Sequence, residues 1–152
     1  MQLYKDSTFQ LNDQQCINLG LVGPEDRQRL LNGFKRISAR TNINRFHTFK
    51  KSFTEDELQY LLVIDNLNHL AIGAVDCQQP DIGIGLARYV RSKQNPDIAE
   101  AAIIVIDEYQ GKGLGHTLYH ELMLLAHKNG IRYLRNLVGK DNRSMLGLLT
   151  KL

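Results

Sequence analysis

The chain has 152 residues, 43% of them hydrophobic and 23% charged, which suits one domain with a real core. Its formal net charge is +3, with no block of Lys and Arg and no aromatics interleaved with basic residues. Nucleic acid is therefore not implied, and the basic tilt suits an anionic small molecule equally well. No apolar run nears the ~20 residues of a membrane span, and the start "MQLYKDSTFQLNDQQ" lacks the apolar stretch of a signal peptide, so a cytoplasmic protein without membrane contact is expected.

Residues 1–15 are polar and weakly patterned and read as an N-terminal arm, ahead of a domain at 16–152. "CINLGLV" (16–22) reads as a short strand. In "GPEDRQRLLNGFKRIS", Pro24 suits a first helical turn, Glu25 and Asp26 complement its positive end, and Leu30, Leu31, Phe34 and Ile37 share a face. "TNINRFHTFKK" is a further helical piece, and Thr54 with Glu57 has the spacing of a capping box opening another. "HLAIGAVDC" and "IGIGLARYV" read as strands joined through "QQPD" into an antiparallel hairpin. "IAEAAIIVID" (98–107) is the most apolar strand, which suggests a central position.

From Leu114 the period changes: Leu118, Leu122 and Leu125 recur at helical spacing up to the stop signal Asn129-Gly130. "IRYLRNLVG" (131–139) reads as a strand and "DNRSMLGLLTKL" as a last helix. The order β-α-α-α-β-β-β-α-β-α gives an α/β (α+β) sandwich with a mostly antiparallel central sheet flanked by helices. Cys16 and Cys77 lie far apart without metal-ligand spacing and read as free thiols in a reducing compartment.

The chemistry concentrates in "DEYQGKGLGHTLYH" (107–120), where Gly111, Gly113 and Gly115 lead from a strand into a helix. Glycines let an anion approach the backbone closely, and amides at a helix start favour a phosphate or pyrophosphate. Lys112 adds a positive charge. The Walker spacing is absent, and the dinucleotide pattern fails because its third glycine position is His116. A tight connection that binds nothing is the plain structural alternative.

What remains is Gln110-Gly111-Lys112-Gly113-Leu114-Gly115, which resembles the [QR]-x-x-G-x-[GA] coenzyme A pyrophosphate loop of the GNAT N-acetyltransferase superfamily. "GPEDRQRLLNGFKRIS", "NRFHTF" and "GIGLARYV" resemble, within it, the acyltransferase domain of bacterial protein-lysine acetyltransferases. The likeness runs from about residue 18 to the end. It implies an acetyl-CoA-dependent N-acetyltransferase, needing no metal, that transfers an acetyl group directly to a primary amine of a protein lysine or small molecule. A non-catalytic acyl-CoA-binding or regulatory module is the alternative.

By position in that fold, Ile103 and Val105 would pair through their main chain with the pantetheine arm, beside a bulge that splays two strands. The amides of Gln110, Gly111, Lys112, Gly113, Leu114, Gly115 and His116 would cradle the pyrophosphate. Thr117 could donate a hydroxyl, and a backbone N–H near Ile104–Val105 would polarise the thioester. Asn142 resembles an asparagine that bonds the pantetheine; helix capping is its other reading. Glu100 matches the family's glutamate and is the candidate general base, since burial in an apolar strand would raise its pKa toward a useful range; a solvent-facing strand end is the alternative. A tyrosine acid common in the family is replaced by Leu149.

Arg45, Phe46, Arg88 and Tyr89 match segments flanking the acceptor cleft. His116, His120 and His127 share one side of a helix and read as a solvated flank rather than zinc ligands. The family usually continues past "LLTKL" into a two-strand hairpin. Without those last two strands the edge of the fifth strand is left open, for a truncation, an edge-covering homodimer or a degenerate domain to explain.

Overall fold

The computed structural model describes residues 1–151, with the side chains of residues 3–7 left aside. One six-stranded sheet runs in the order β1-β2-β3-β4-β5-β6. Its strands are β1 (Gln2–Gln10), β2 (Cys16–Leu21), β3 (His69–Asp76), β4 (Gln79–Arg91), β5 (Ile98–Val105) and β6 (Tyr133–Asn136). All neighbours pair antiparallel except β5 and β6, which are parallel. The helices are α1 (Arg27–Phe34), α2 (Ala39–Phe46), α3 (Glu55–Leu62), α4 (Leu114–Lys128) and α5 (Arg143–Thr150).

Local chemistry sets the boundaries. Thr54 caps α3 by accepting from the Glu57 N–H at 3.1 Å, and Glu57 reaches back to the Thr54 N–H at 3.1 Å, the reciprocal box its spacing predicts. Ser38 caps α2 through the Thr41 N–H, and Pro24 opens the 3-10 turn that leads into α1. Alternation then divides the sheet into two faces. Ile17, Leu19, Leu70, Ile72, Ala87, Tyr89, Ala99 and Ala101 form one core with Leu114, Leu118 and Leu122 of α4. Val22, Ala71 and Leu86 form the other with α1 and α3.

Four features differ from the sequence reading. Residues 2–10, expected as an arm, form the edge strand β1, which pairs with β2 alone and whose sequence lacks the apolar alternation that marks a strand. The apolar strand β5 is not central but second from the edge; β3, buried from Leu70 to Asp76, is the more enclosed strand. The β3–β4 turn falls at residues 77–78, so β4 starts at Gln79 and takes up the extra length as irregular pairing near Val75 and Asp76.

Cys16 and Cys77, the fourth difference, form a disulfide rather than free thiols, with Cα atoms 5.6 Å apart. Ile17 pairs with Asp76, and the Cys77 N–H donates to the Cys16 carbonyl at 3.1 Å, so the 61-residue separation hides adjacent strand ends. The cysteines therefore no longer argue for a reducing compartment. No helix among the described residues is long and apolar enough to cross a membrane.

Closing a loop of this size stabilises by about 4 kcal/mol in the chain-entropy account. Urea unfolding with and without dithiothreitol should show a drop of that order, reproduced by Cys77→Ser. Equal midpoints would show that the cysteines are unpaired.

Candidate functional site

β5 pairs with β4 in continuous register from Ala99 to Val105, but with β6 only as far as Ala101, opposite Asn136. The Ile106 N–H donates to the Ile84 carbonyl at 3.0 Å. By the alternation of an antiparallel ladder, Ile104 and Ala102 also turn their main-chain groups toward β4, while Ile103 and Val105 turn theirs outward. The outward groups face a gap where β6 has ended. The expected bulge is absent from the β4–β5 ladder; the strands part because β6 is four residues long and the chain leaves it after Asn136. The outward N–H of the pair Ile104–Val105 is thus that of Val105.

The glycine loop begins where β5 ends. A 3-10 turn at Asp107–Tyr109 leads to Gln110. Gly111 (φ +75°) and Gly113 (φ +91°) take left-handed conformations that other residues rarely adopt, and Gly113 is the N-cap of α4. A Cβ at Gly111 would meet nothing within 4 Å, so the loop is uncrowded there. The first-turn amides of Leu114, Gly115 and His116 have no intrahelical acceptor and point along the positive end of a fifteen-residue helix. The side chain of Leu114 is buried in the core, leaving its backbone for the site. The Thr117 hydroxyl, expected to face a ligand, donates back to the Gly113 carbonyl at 3.1 Å.

This loop is held from two sides. The Gln110 amide donates to the Val105 carbonyl at 2.9 Å and to Thr41 Oγ1 at 3.1 Å, tying the loop to β5 and α2. The β1–β2 turn, which the sequence reading left outside the domain, covers it: the Asn12 N–H donates to the Lys112 carbonyl at 3.0 Å, and the Asn12 side chain lies 3.1 Å from where a Gly113 Cβ would be. Lys112 Nζ pairs with Asp13 at 3.0 Å and reaches Gln15 Oε1 at 3.3 Å. The charge expected for a ligand is thus engaged by the turn. Gln15 bonds Asp76 at 2.6 Å, and Tyr109 donates to the same carboxylate at 2.7 Å. Burial, and then Asp76, push the Tyr109 hydroxyl up to about 12, so it stays a donor.

The gap and the loop open into one large cleft, lined among others by Glu100, Ile103, Val105, Gly111, Gly115 and Asn142. Glu100 is not buried as expected: its side chain is 71% exposed and pairs with Arg135 at 3.2 Å, because its cross-strand neighbour on β6 is that arginine. Asn142 caps α5 by accepting from the Met145 N–H at 3.2 Å, the capping alternative, and still lines the cleft. Leu149 packs against the main core. Asn136, which the sequence reading passed over, ends the β5–β6 ladder; its amide donates to the Tyr119 hydroxyl, and its buried Oδ1 has no partner among the described residues. A polar residue closing the short run "YLRN" was its one sequence signal.

On the opposite sheet face the cleft is walled by Arg45, Phe46, Tyr60 and Arg88. Tyr89 is parted from them by the pleat: it is wholly buried on the α4 side, donating to the Leu67 carbonyl at 2.9 Å. Arg88 meets Nε2 of His69, whose ring lies 4.8 Å from that of Tyr60. Burial, then Arg88, push His69 down to about 4, so its neutral ring can accept from the guanidinium. His116, His120 and His127 are exposed along α4, and among the described residues no three His, Cys, Asp or Glu groups converge as a metal site.

The sequence model of the acetyltransferase (GNAT) family matches residues 33–152. Acetyltransferase Pat of Mycolicibacterium smegmatis is 33% identical over 138 residues, covering 86% of this chain and 39% of its own length. A Pseudomonas aeruginosa acetyltransferase is 28% identical over 139 residues, covering 91% of this chain and 74% of its own. The chain thus spans well under half of the first relative and about three quarters of the second. The GNAT domain of Streptomyces lividans PAT superposes with a TM-score of 0.88 at 20% identity, over 95% of this chain and 84% of that one. A cAMP-binding acyltransferase from Mycobacterium smegmatis gives 0.67 at 27% identity, over 95% of this chain and 42% of that one.

His69 yields a pH test of the cleft. Its folded pKa lies below the unfolded value near ~6.5, so its neutral state stabilises the fold above that value, and the contribution is lost as pH falls toward about 4. Urea midpoints should fall between about pH 7 and pH 4.5, and His69→Asn should flatten part of that fall. An unchanged slope would place His69 outside the cluster.

Proposed function

Because the chain belongs to the acetyltransferase (GNAT) family, we propose that it binds acetyl-CoA in this cleft and transfers the acetyl group directly to an amine of a protein lysine or small molecule. The observation that carries the reading is the unpaired stretch of β5, with Ile103 and Val105 turned into the gap directly before the glycine loop. An extended chain bearing amides and ending in a pyrophosphate matches this order of groups. The outward main chain of β5 would take the amides, as an added strand does. The buried, unpartnered Oδ1 of Asn136 is an acceptor facing the same need. The amides of the uncrowded loop at Gly111 and of the first turn of α4 would take the phosphates.

When bound, acetyl-CoA supplies an activated acyl group and a thiolate as leaving group. The Val105 N–H is the donor available to polarise a carbonyl held at the gap. Glu100 is the carboxylate placed to take a proton from the acceptor ammonium: it shares a sheet face with Ala102 and Ile104, and an amine near pKa ~10 must lose that proton before it attacks. Exposure on the acceptor side lets Glu100 pass the proton to water. Lys112 acts through the turn, holding Asp13 and Gln15, rather than on the ligand.

Calorimetry and thiol release test this reading. Gly113→Val should weaken acetyl-CoA binding about tenfold or more, since the left-handed φ and the Asn12 contact both oppose a branched side chain. Glu100→Gln should lower turnover by about 10²-fold or more with acetyl-CoA affinity unchanged. A wild-type chain that fails to bind acetyl-CoA would overturn the reading.

A further inference from the structure

The acceptor half of the cleft holds two guanidinium groups that no carboxylate of the described residues meets. Arg88 is only 5% exposed and stands directly across the β4–β5 ladder from Ala102. The pleat puts it on the same face as Glu100 and Ile104, one side-chain position from each. Arg45 enters from α2 against the Phe46 ring, 4.9 Å from its centroid. Among the described residues neither arginine forms an ion pair, whereas Lys50, Lys112 and Arg135 in or beside the same cleft pair with Glu57, Asp13 and Glu100. The contacts Arg88 does make are neutral: the His69 ring and the face of Tyr60, 5.9 Å to its centroid. Burial, and then the nearby charge of Arg45, bring Arg88 down to about 10, and burial lowers Arg45.

Two like charges held near each other and partly withdrawn from water, with no carboxylate beside them among the described residues, oppose folding. Such a pair persists where an anion completes it. Both arginines line the cleft, so their free donors face the space that a ligand would enter. Phe34, Phe46, Phe53 and Leu86 line an adjoining apolar pocket that both arginines also border, which lowers the screening on that side.

We propose that Arg45 and Arg88 seat a carboxylate of the acceptor, so that the amine acetylated here belongs to an anionic molecule. The inference rests on the acetyltransferase reading and names its substrate class. Arg88 and Glu100 are diagonal neighbours on one face of the β4–β5 ladder, ~7–8 Å apart at the backbone. A single acceptor can therefore bring an amine to Glu100 and a carboxylate to Arg88. The α-carboxylate of a free amino acid and an acidic residue beside a target lysine share this chemistry.

Thermal unfolding of the full chain distinguishes the sources. The probes are the common L-amino acids, each with its carboxamide, and a lysine peptide flanked by Asp with its Asn counterpart. At least one carboxylate form should raise the wild-type Tm while its uncharged twin does not. Arg88→Met and Arg45→Met should each lose that shift while calorimetric acetyl-CoA affinity stays within about twofold of wild type. Arg45 is half-buried at a helix end, so its variant keeps the test open if Arg88→Met folds poorly. A shift from the amino acids alone identifies a small acceptor, and one from the peptide alone a protein lysine. The proposal is overturned if charged and uncharged forms act alike, if no carboxylate form shifts Tm, if the shift survives in both variants, or if both lose acetyl-CoA affinity. Carboxylate-selective binding by a wild-type chain that does not bind acetyl-CoA would strike the acetyltransferase reading and leave the anion site standing.

Discussion

Between Ala101 and Asn136 the parallel pairing of β5 with β6 ends, while the antiparallel pairing of β5 with β4 continues to Val105. Main-chain groups that a sheet would normally consume are left turned into a gap, which is costly unless water or a ligand meets them. The other parts of the site are arranged around that gap. The glycine loop starts one turn past the last unpaired residue, α4 covers one sheet face, and α2 and α3 wall the other. Where β6 stops, β5 becomes the edge of the sheet on the side away from β1, and that stretch would give an extended ligand a template.

The loop keeps its shape because tertiary contacts fix what glycines leave free. Gln110 anchors it to β5, and the β1–β2 turn lies across it through Asn12, Asp13 and Gln15. That turn is in its place because Gln15 and Tyr109 converge on Asp76, next to the Cys16–Cys77 link. The N-terminal segment is thus a brace for the glycine loop. Its charges balance Lys112, which makes backbone amides and the α4 dipole the attraction available to a phosphate.

Helix and strand order was legible because it rests on local signals: the Thr54–Glu57 box, the leucine spacing of α4, the glycines before it. The conformation of the glycine loop was legible for the same reason, since the left-handed turns at Gly111 and Gly113 rest on backbone freedom that the residue types declare. Features made by pairing across the chain were not. β1 has no apolar alternation, the disulfide joins residues far apart in sequence, and Asn136 matters through where a ladder stops. Glu100 shows the same limit in reverse: an apolar neighbourhood in sequence suggested burial, but the side chain follows the pleat to the cleft and meets Arg135. Arg88 and Tyr89 are adjacent in sequence and serve opposite faces.

The gap in the β5–β6 ladder is tested most directly by residue-resolved amide hydrogen exchange, read with and without acetyl-CoA. In the free chain the amides of Ile103 and Val105 should exchange quickly, while those of Ile104 and Ile106, turned toward β4, are protected. Acetyl-CoA should slow Ile103, Val105 and the loop amides of Gly111 to Gly115. Protection of Ile103 and Val105 in the free chain, or no change there on adding acetyl-CoA, would contradict the account.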